Sequence, residues 1–302
     1  MIVSASYKTD IPAFFGRWFM NRLKDGHCRM VNPWGGQVYL VPLDRRSVSG
    51  FVFWTKNLGP FLAPLAEIGD AGYPFTVQYS INGYPRALET NVTNTERSIG
   101  HMHRLRARYG PRCAVWRYDP LLITSITPPE WHIENFRRLA ARIQGATDEV
   151  TISFTHMYRK TGRNLRAAAD AGGFTWHDPE PAEKRALALK LTGIAGEAGM
   201  ALTVCAQPEF TPAGATAAHC IDGARLSDVA GRPIAAPIKG NRPGCLCHLS
   251  RDIGAYDSCP HGCVYCYAVS DAARAKARLR DHDADGEFLL PPAPSARPSA
   301  GA

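Results

Sequence analysis

The sequence predicts an α/β fold: a parallel (β/α) barrel or part-barrel of about six units, with a C-terminal cysteine-rich, cluster-binding extension. Three observations lead there. Short β-rich runs alternate with amphipathic segments. The runs end in polar residues. After the sixth run the alternation stops and seven of the nine cysteines crowd between residues 205 and 266.

The strands come first. "MIVSASY", "GFVFWTK", "FTVQYSI", "CAVWRYD", "EVTISFT" and "MALTVCAQ" are nearly continuous in apolar and β-branched residues, as strands buried on both faces are. A short extra strand, "QVYLVPL", precedes the second of them. Between the runs lie "PAFFGRWFMNRLKDG", "LGPFLAPLAEIG", "ERSIGHMHRLRARYG", "PEWHIENFRRLAARIQ" and "AEKRALALKLTGIAGEAG". Several begin near Pro, Asp or Thr and end on Gly, as capped helices do. No internal repeat is found.

The strand ends favour a barrel or part-barrel over a doubly wound sheet. Strand one runs into Lys8, Thr9 and Asp10, strand two into Thr55, Lys56 and Asn57, and strand three into Asn82 and Tyr84. Strand four ends at Arg117 and Asp119, and strand five at His156. The C-terminal rim of parallel strands is where such folds build active sites. Any one of these residues is as well explained by a helix cap or a rim ion pair; their recurrence on one rim is what points to function.

Composition is globular, with 45% hydrophobic and 21% charged residues in 302. No run approaches the length of about eighteen apolar residues that a membrane span needs, so no membrane partner is expected. "MIVSASYKTDIPAFF" lacks a basic region followed by a long apolar stretch, so the expected location is the cytoplasm, where thiols stay reduced. The net charge of +8 comes largely from Arg on stretches such as "HMHRLRARYGPR" and "ARAKARLR". Solvated helix faces account for it more simply than a nucleic-acid surface, which stays open as an alternative.

Nine cysteines in a reducing compartment read as metal ligands or core residues. Cys28 and Cys113 stand alone and read as core. Cys259, Cys263 and Cys266 are spaced C-x3-C-x2-C in "SCPHGCVYCYA". A zinc site would prefer knuckle pairs and four ligands, for which His261 or His248 would have to serve. Three thiolates at this spacing suit a [4Fe–4S] cube with one iron left open. Gly262 lets the loop fold around such a cube and Pro260 restricts it.

"CPHGCVYCY" resembles the cluster loop of radical S-adenosylmethionine (SAM) enzymes, C-x3-C-x-aromatic-C, and is most similar to that of spore photoproduct lyase and its relatives. The resemblance implies Cys259, Cys263 and Cys266 as cluster ligands, SAM on the open iron and Tyr265 beside the adenine. It implies a 5′-deoxyadenosyl radical that abstracts hydrogen from an unknown substrate, and a one-electron donor such as a flavodoxin or ferredoxin. "SASYKTDIPAFFGRWFMNRL", "FVFWTKN", "INGY", "RYDP" and "DIGAYDSCPHGCVYCYA" also resemble a bacterial and archaeal domain family of unknown function, whose terminal cysteines are themselves likened to the radical SAM loop. Two departures stand out. The triplet follows six strands instead of the first, and "WTKN" stands where a Gly-Gly-Glu-type stretch usually meets the SAM amino group.

On this reading the chain divides into a barrel-like domain at 1–205, a cysteine-rich iron–sulfur region at 206–270 on the barrel mouth, and a helix with a disordered Pro/Ala tail at 271–302. Asp10, Lys56 and Asp119 are the candidate catalytic residues; Tyr265, Asn57, Tyr84, Arg117 and His156 are the candidate SAM or substrate contacts. Cys205, Cys220, Cys245 and Cys247 offer a second, fully ligated cluster or a four-thiolate zinc site, against four buried small residues. "GCLCHLS" is too polar and Gly/Pro-flanked for core. Three function classes stay open: a radical SAM enzyme, a nucleic-acid repair or modification enzyme of photoproduct-lyase type, and a non-catalytic zinc or iron–sulfur protein.

Overall fold

A computed structural model describes residues 1–32 and 35–291. The chain opens with β1 (Ile2–Ala5), α1 (Ile11–Phe14), α2 (Gly16–Asp25) and the antiparallel hairpin β2 (His27–Val31) and β3 (Val38–Pro42). Then come β4 (Gly50–Thr55), α3 (Leu62–Asp70), β5 (Phe75–Ser80), α4 (Thr95–Tyr109), β6 (Ala114–Leu121) and α5 (Pro129–Ile143). They are followed by β7 (Glu149–Phe154), α6 (Arg159–Gly172), α7 (Pro181–Glu197), β8 (Ala201–Val204), β9 (Thr216–Ala217), α8 (Gly223–Ala230), β10 (Ser250–Asp252) and α9 (Ala272–Arg280).

Eight strands form one parallel sheet in the order β10-β1-β4-β5-β6-β7-β8-β9. All six predicted main strands are in it, in chain order. Among the described residues no pairing joins β10 to β9, so the sheet is open. Two differences from the sequence reading matter. The predicted extra strand pairs with β2 in a separate hairpin, outside the sheet. And residues 206–270, expected to lie on the mouth as a loop region, supply β9 and β10, which join the sheet built by residues 1–205. The tail "PPAPSARPSAGA" lies outside the described residues except for Pro291, while Leu289 just before it is buried.

The two faces of the sheet differ, and the period of two decides how. Val3, Ala5, Phe51, Phe53, Phe75, Val77, Tyr79, Trp116, Tyr118, Val150, Ile152 and Leu202 pack into the main core beneath the helices. Trp116 stacks on Phe136 of α5 at 4.8 Å, and Phe53 meets Phe61 at 5.1 Å. The intervening residues are buried too, but many are polar: Ser4, Thr76, Gln78, Arg117, Thr151, Ser153 and Thr203. Residues 205–247 cover part of this second face with a smaller cluster of Cys205, Ala218, Cys220, Ile221, Leu226, Ile234 and Cys247. Arg225 of α8 fixes that cover, donating to Asp148 at 2.9 Å and Glu149 at 2.7 Å at the start of β7.

β10 is the strand that the sequence hides. Its three residues, Ser-Arg-Asp, carry no apolar alternation. It is held by Asp252, whose Oδ2 accepts from Ser4 Oγ at 2.8 Å and Tyr7 N at 3.2 Å. Oδ1 accepts from Ser6 Oγ at 2.8 Å and Gly254 N at 3.0 Å, and lies 3.3 Å from Lys8 Nζ. The backbone pairing continues one step further, Ile253 N donating to Ser4 O at 3.0 Å.

Asp252→Ala strips a buried carboxylate from two hydroxyls, two amides and an ammonium. It should cost roughly 3–5 kcal/mol in urea unfolding, and native-state hydrogen exchange should show Ile253 losing protection first. A second prediction concerns His132 on α5, fully buried with Nδ1 3.0 Å from Tyr118 Oη and Nε2 3.0 Å from Leu122 O. Burial lowers it from the ordinary 6.5 to about 4. The unfolded chain therefore takes up this proton below 6.5 while the folded one does not. The contribution is complete above pH 6.5 and is lost as pH falls toward 4, roughly 3 kcal/mol in all. His132→Gln should flatten the stability profile in that window.

Candidate active site

Because β10 lies against β1, the cysteine triplet emerges on the C-terminal rim beside the ends of β1, β4 and β5. The loop is pinned at both ends. Ser258 Oγ lies 2.5 Å from Thr9 Oγ1, and Asp257 ties the loop's exit, accepting from Ser270 N at 2.5 Å and Ser270 Oγ at 2.7 Å. Its middle runs along the segment after β5: Val264 N donates to Leu88 O at 3.1 Å, Asn91 N to His261 O at 2.9 Å, and Asn91 Nδ2 to Pro260 O at 3.0 Å. Gly262 takes a left-handed φ of +71°, which places its carbonyl near Thr90.

Three partly exposed thiols result, with Cys266 close enough to bear electrostatically on both Cys259 and Cys263. Burial, then Asp10 and Cys266, push the Cys259 thiol well up. Burial also drives Cys263 up, which Lys56 only partly offsets, and raises Cys266. Backbone amides point at the sulfurs, Ala268 N to Cys266 Sγ at 3.3 Å and His261 N toward Cys259. Among the described residues no group of three or more His, Cys, Asp and Glu side chains is arranged to hold a metal ion. A four-iron cube asks for a different spacing, since each thiolate binds its own iron. A thiol triplet with amide donors toward its sulfurs is the donor set such a cube takes.

Two charged groups support the loop. Asp10 caps α1, accepting from Ala13 N at 2.9 Å; its other oxygen accepts from Lys56 N at 2.7 Å and meets His261 Nε2 at 2.7 Å. His261 is thereby engaged with a carboxylate, which argues against the fourth-ligand role considered for it. Lys56 Nζ meets Glu89 Oε1 at 2.8 Å and lies 5.7 Å from the Tyr265 ring centre. Burial works against its charge, but Glu89 and Cys263 outweigh it and hold the ammonium above the ordinary lysine range. Tyr265 Oη donates to Glu89 and accepts from Asn82 Nδ2 at 3.3 Å. Glu89 is buried and central, yet "RALET" carries no periodicity or motif that singles it out.

The other expected contacts divide. Tyr84 meets the Tyr265 ring at 5.8 Å, but its hydroxyl is spent on Pro120 O and Leu122 N, both at 2.8 Å. Asn57 is not drawn to the loop: its Oδ1 closes a turn by accepting from Gly59 N at 3.1 Å. Arg117 and Asp119 form a buried pair farther along the rim, with Ser153 Oγ donating to Asp119 and Arg117 Nη1 donating to Gln78 Oε1 at 3.0 Å. Burial opposes both charges, yet each partner stabilises the other, so Asp119 titrates below and Arg117 far above its ordinary value. His156 is half-buried, lowered first by burial and then by Arg242, and its Nε2 has no partner among the described residues.

Arg117 links this pair to the remaining cysteines, donating from Nη1 to Cys220 Sγ at 3.0 Å. Cys205 and Cys220 stand 3.4 Å apart, sulfur to sulfur, and Cys247 Sγ accepts from Ile221 N at 3.4 Å. Cys247 lies near enough to Cys220 and Cys245 for each to bear on its titration: Cys220 lowers it, and Cys245 and burial raise it by more. The sequence groups these four by number alone; the structure brings all four together.

Glu89→Leu should cost roughly 3–5 kcal/mol by leaving the Lys56 ammonium buried without its partner. The double variant Lys56→Met/Glu89→Leu should recover most of that in thermal unfolding. Equal losses in the single and double variants would show that the pair is not coupled.

Comparison with known proteins gives a family and little else. A family model described as a domain of unknown function (DUF1848) matches residues 2–268. No curated protein matches. A solved structure described as "Crystal structure of D-hydantoinase" matches at TM-score 0.29 and 10% identity, over 68% of this chain and 41% of that chain. The chain thus spans less than half of that protein, and a likeness at this level carries no argument.

Proposed function

The chain belongs to the family described as a domain of unknown function (DUF1848), and we propose that it is an iron–sulfur enzyme of radical SAM type acting on a substrate yet to be found. The observation that carries the reading is where β10 lies. In radical SAM enzymes the cluster loop follows the first strand of a part-barrel. Here the triplet follows β10, which is last among the sheet strands in sequence but first in space, beside β1. The consecutive order from β1 through β8 supports the part-barrel in the same way. The late position of the motif is then a permutation of the chain, and it leaves the loop at the same rim.

Cys259, Cys263 and Cys266 would hold the cluster. When bound, that group supplies one-electron cleavage of SAM, giving a 5′-deoxyadenosyl radical for hydrogen abstraction. The chain's own residues do the rest. Lys56, kept charged by Glu89, places a cation beside Cys263 where an anionic group would be favoured. Asp10 and His261 fix the segment around Cys259, and Tyr265 packs inward between Lys56 and Tyr84, locking the loop's geometry. Asp119 and Arg117 stand farther along the rim as candidate substrate contacts. The +8 charge keeps a nucleic-acid substrate as the second reading.

Protein purified without oxygen should hold about four irons and as many sulfides in the triplet cluster, lost in Cys263→Ser. Reduced with dithionite, it should convert SAM to 5′-deoxyadenosine. An intact cluster that yields no such product overturns the SAM reading; zinc without iron or sulfide overturns the cluster. Salt-sensitive binding to DNA or RNA would favour the nucleic-acid reading.

A further inference from the structure

The four thiols on the polar face of the sheet stand apart from the triplet's loop and are not used by the reaction proposed above. They come from three places: Cys205 just after β8, Cys220 after β9, and Cys245 and Cys247 from the loop before β10. The chain takes some trouble to bring them together. Gly240 has the Cys245 backbone so near that an added Cβ would stand 2.1 Å from its carbonyl oxygen, so only glycine fits there. Cys245 is the partly exposed member, while Cys205, Cys220 and Cys247 are buried.

The thiols pack among Ala218, Ile221, Leu226 and Ile234, but cations reach their sulfurs as well. Besides Arg117 on Cys220, Arg242 Nη2 points at Cys205 Sγ at 3.7 Å. A guanidinium is costly to bury without negative charge, and Asp119 is one carboxylate between the buried Arg117 and the partly buried Arg242. Sulfurs deprotonated by a bound ion would supply the balance. Two imidazoles adjoin the thiols in sequence, His219 next to Cys220 and His248 next to Cys247, with ring centres 5.9 Å apart. His219 Nδ1 is buried with no hydrogen-bond partner among the described residues.

We propose that Cys205, Cys220, Cys245 and Cys247 form a second metal site, taking one thiophilic ion, zinc or iron, independently of the triplet. The spacing favours a single ion over a second cube. A tetrahedral ion with bonds of about 2.3 Å sets its sulfurs about 3.8 Å apart, close to the 3.4 Å between Cys205 and Cys220. A cube spreads its thiolates, each on its own iron. Cys205 and Cys220 touch, Cys247 and Cys245 are coupled to them in file, and the four sulfurs do not meet at one point. Hydrogen-bonded thiols line up in this way; thiolates around a cation converge, and side-chain rotation on the 240–247 loop is the movement that binding requires. Arg117 and Arg242 then donate to the bound sulfurs and offset their charge. The site would tie β8, the cover segment and β10 together from within.

The test uses the full chain with the triplet removed, Cys259→Ser/Cys263→Ser/Cys266→Ser, so that failure of the radical SAM reading does not affect it. That variant should retain stoichiometric zinc or iron by mass spectrometry, and the emptied protein titrated with cobalt(II) should show sulfur-to-cobalt charge-transfer bands. Adding Cys245→Ser/Cys247→Ser should reduce both to traces while the far-ultraviolet circular dichroism is kept. If that protein does not fold, Cys245→Ser alone, in the partly exposed position, serves instead and should abolish the charge-transfer bands. Zinc against iron in the retained metal identifies the ion; acid-labile sulfide with several irons would show a cluster and overturn the single-ion assignment. A triplet variant free of metal and without cobalt bands, or metal unchanged on loss of Cys245 and Cys247, overturns the site.

Discussion

One buried carboxylate holds the cysteine-bearing end of this protein in place. Asp252 closes the three-residue strand β10 onto β1 through two hydroxyls, two amides and an ammonium. A strand so short has little hydrophobic burial of its own, and an edge strand has backbone bonds on one side only. Charge-assisted hydrogen bonds at low dielectric provide what burial does not. Everything that follows β10 inherits its position: the cysteine loop, its contact with Asp10 through His261, and its contact with Glu89 through Tyr265.

The sheet also has two unlike faces. Under the helices, aromatic and aliphatic side chains interdigitate as in any α/β domain. On the other face Ser4, Gln78, Arg117, Thr151, Ser153 and Thr203 point into a space that residues 205–247 partly fill. Polar groups buried there must be paired, and they are: Thr151 with Thr203 at 2.9 Å, Arg117 with Asp119 and Gln78, and Trp54 Nε1 with Ser4 Oγ at 3.1 Å. That pairing is costly in desolvation and adds little to stability.

How much was legible in the sequence differs from element to element. Phe51, Val52 and Phe53 announce a strand buried on both sides, and Lys56 and Asp119 announce a polar rim, because alternation and composition are local properties. Asn57 and Tyr84 stand on that rim as expected, but their polar atoms are occupied by Gly59 and by Pro120 and Leu122, which no rule of sequence would show. Glu89 was missed for the opposite reason: it lies in an irregular segment and acquires its role only when Lys56 and Tyr265 close on it. β9 and β10 were missed because runs of two or three residues leave no period to detect, and β2 because its alternation, Cys28 and Met30 in and Arg29 out, spans only five residues directly behind α2.

By itself, then, the sequence determined the α/β class, the order of its six main strands, the polar rim and the three-thiol spacing of the 259–266 loop. Each follows from residue type and short-range spacing. The tertiary structure alone decided that the loop stands beside β1, that Asp10, Lys56 and Glu89 surround it, and that four cysteines scattered over residues 205–247 share one pocket of the polar face. Those facts depend on contacts such as Ser4 with Asp252, 248 positions apart, and no local pattern encodes where a chain returns after so long a path.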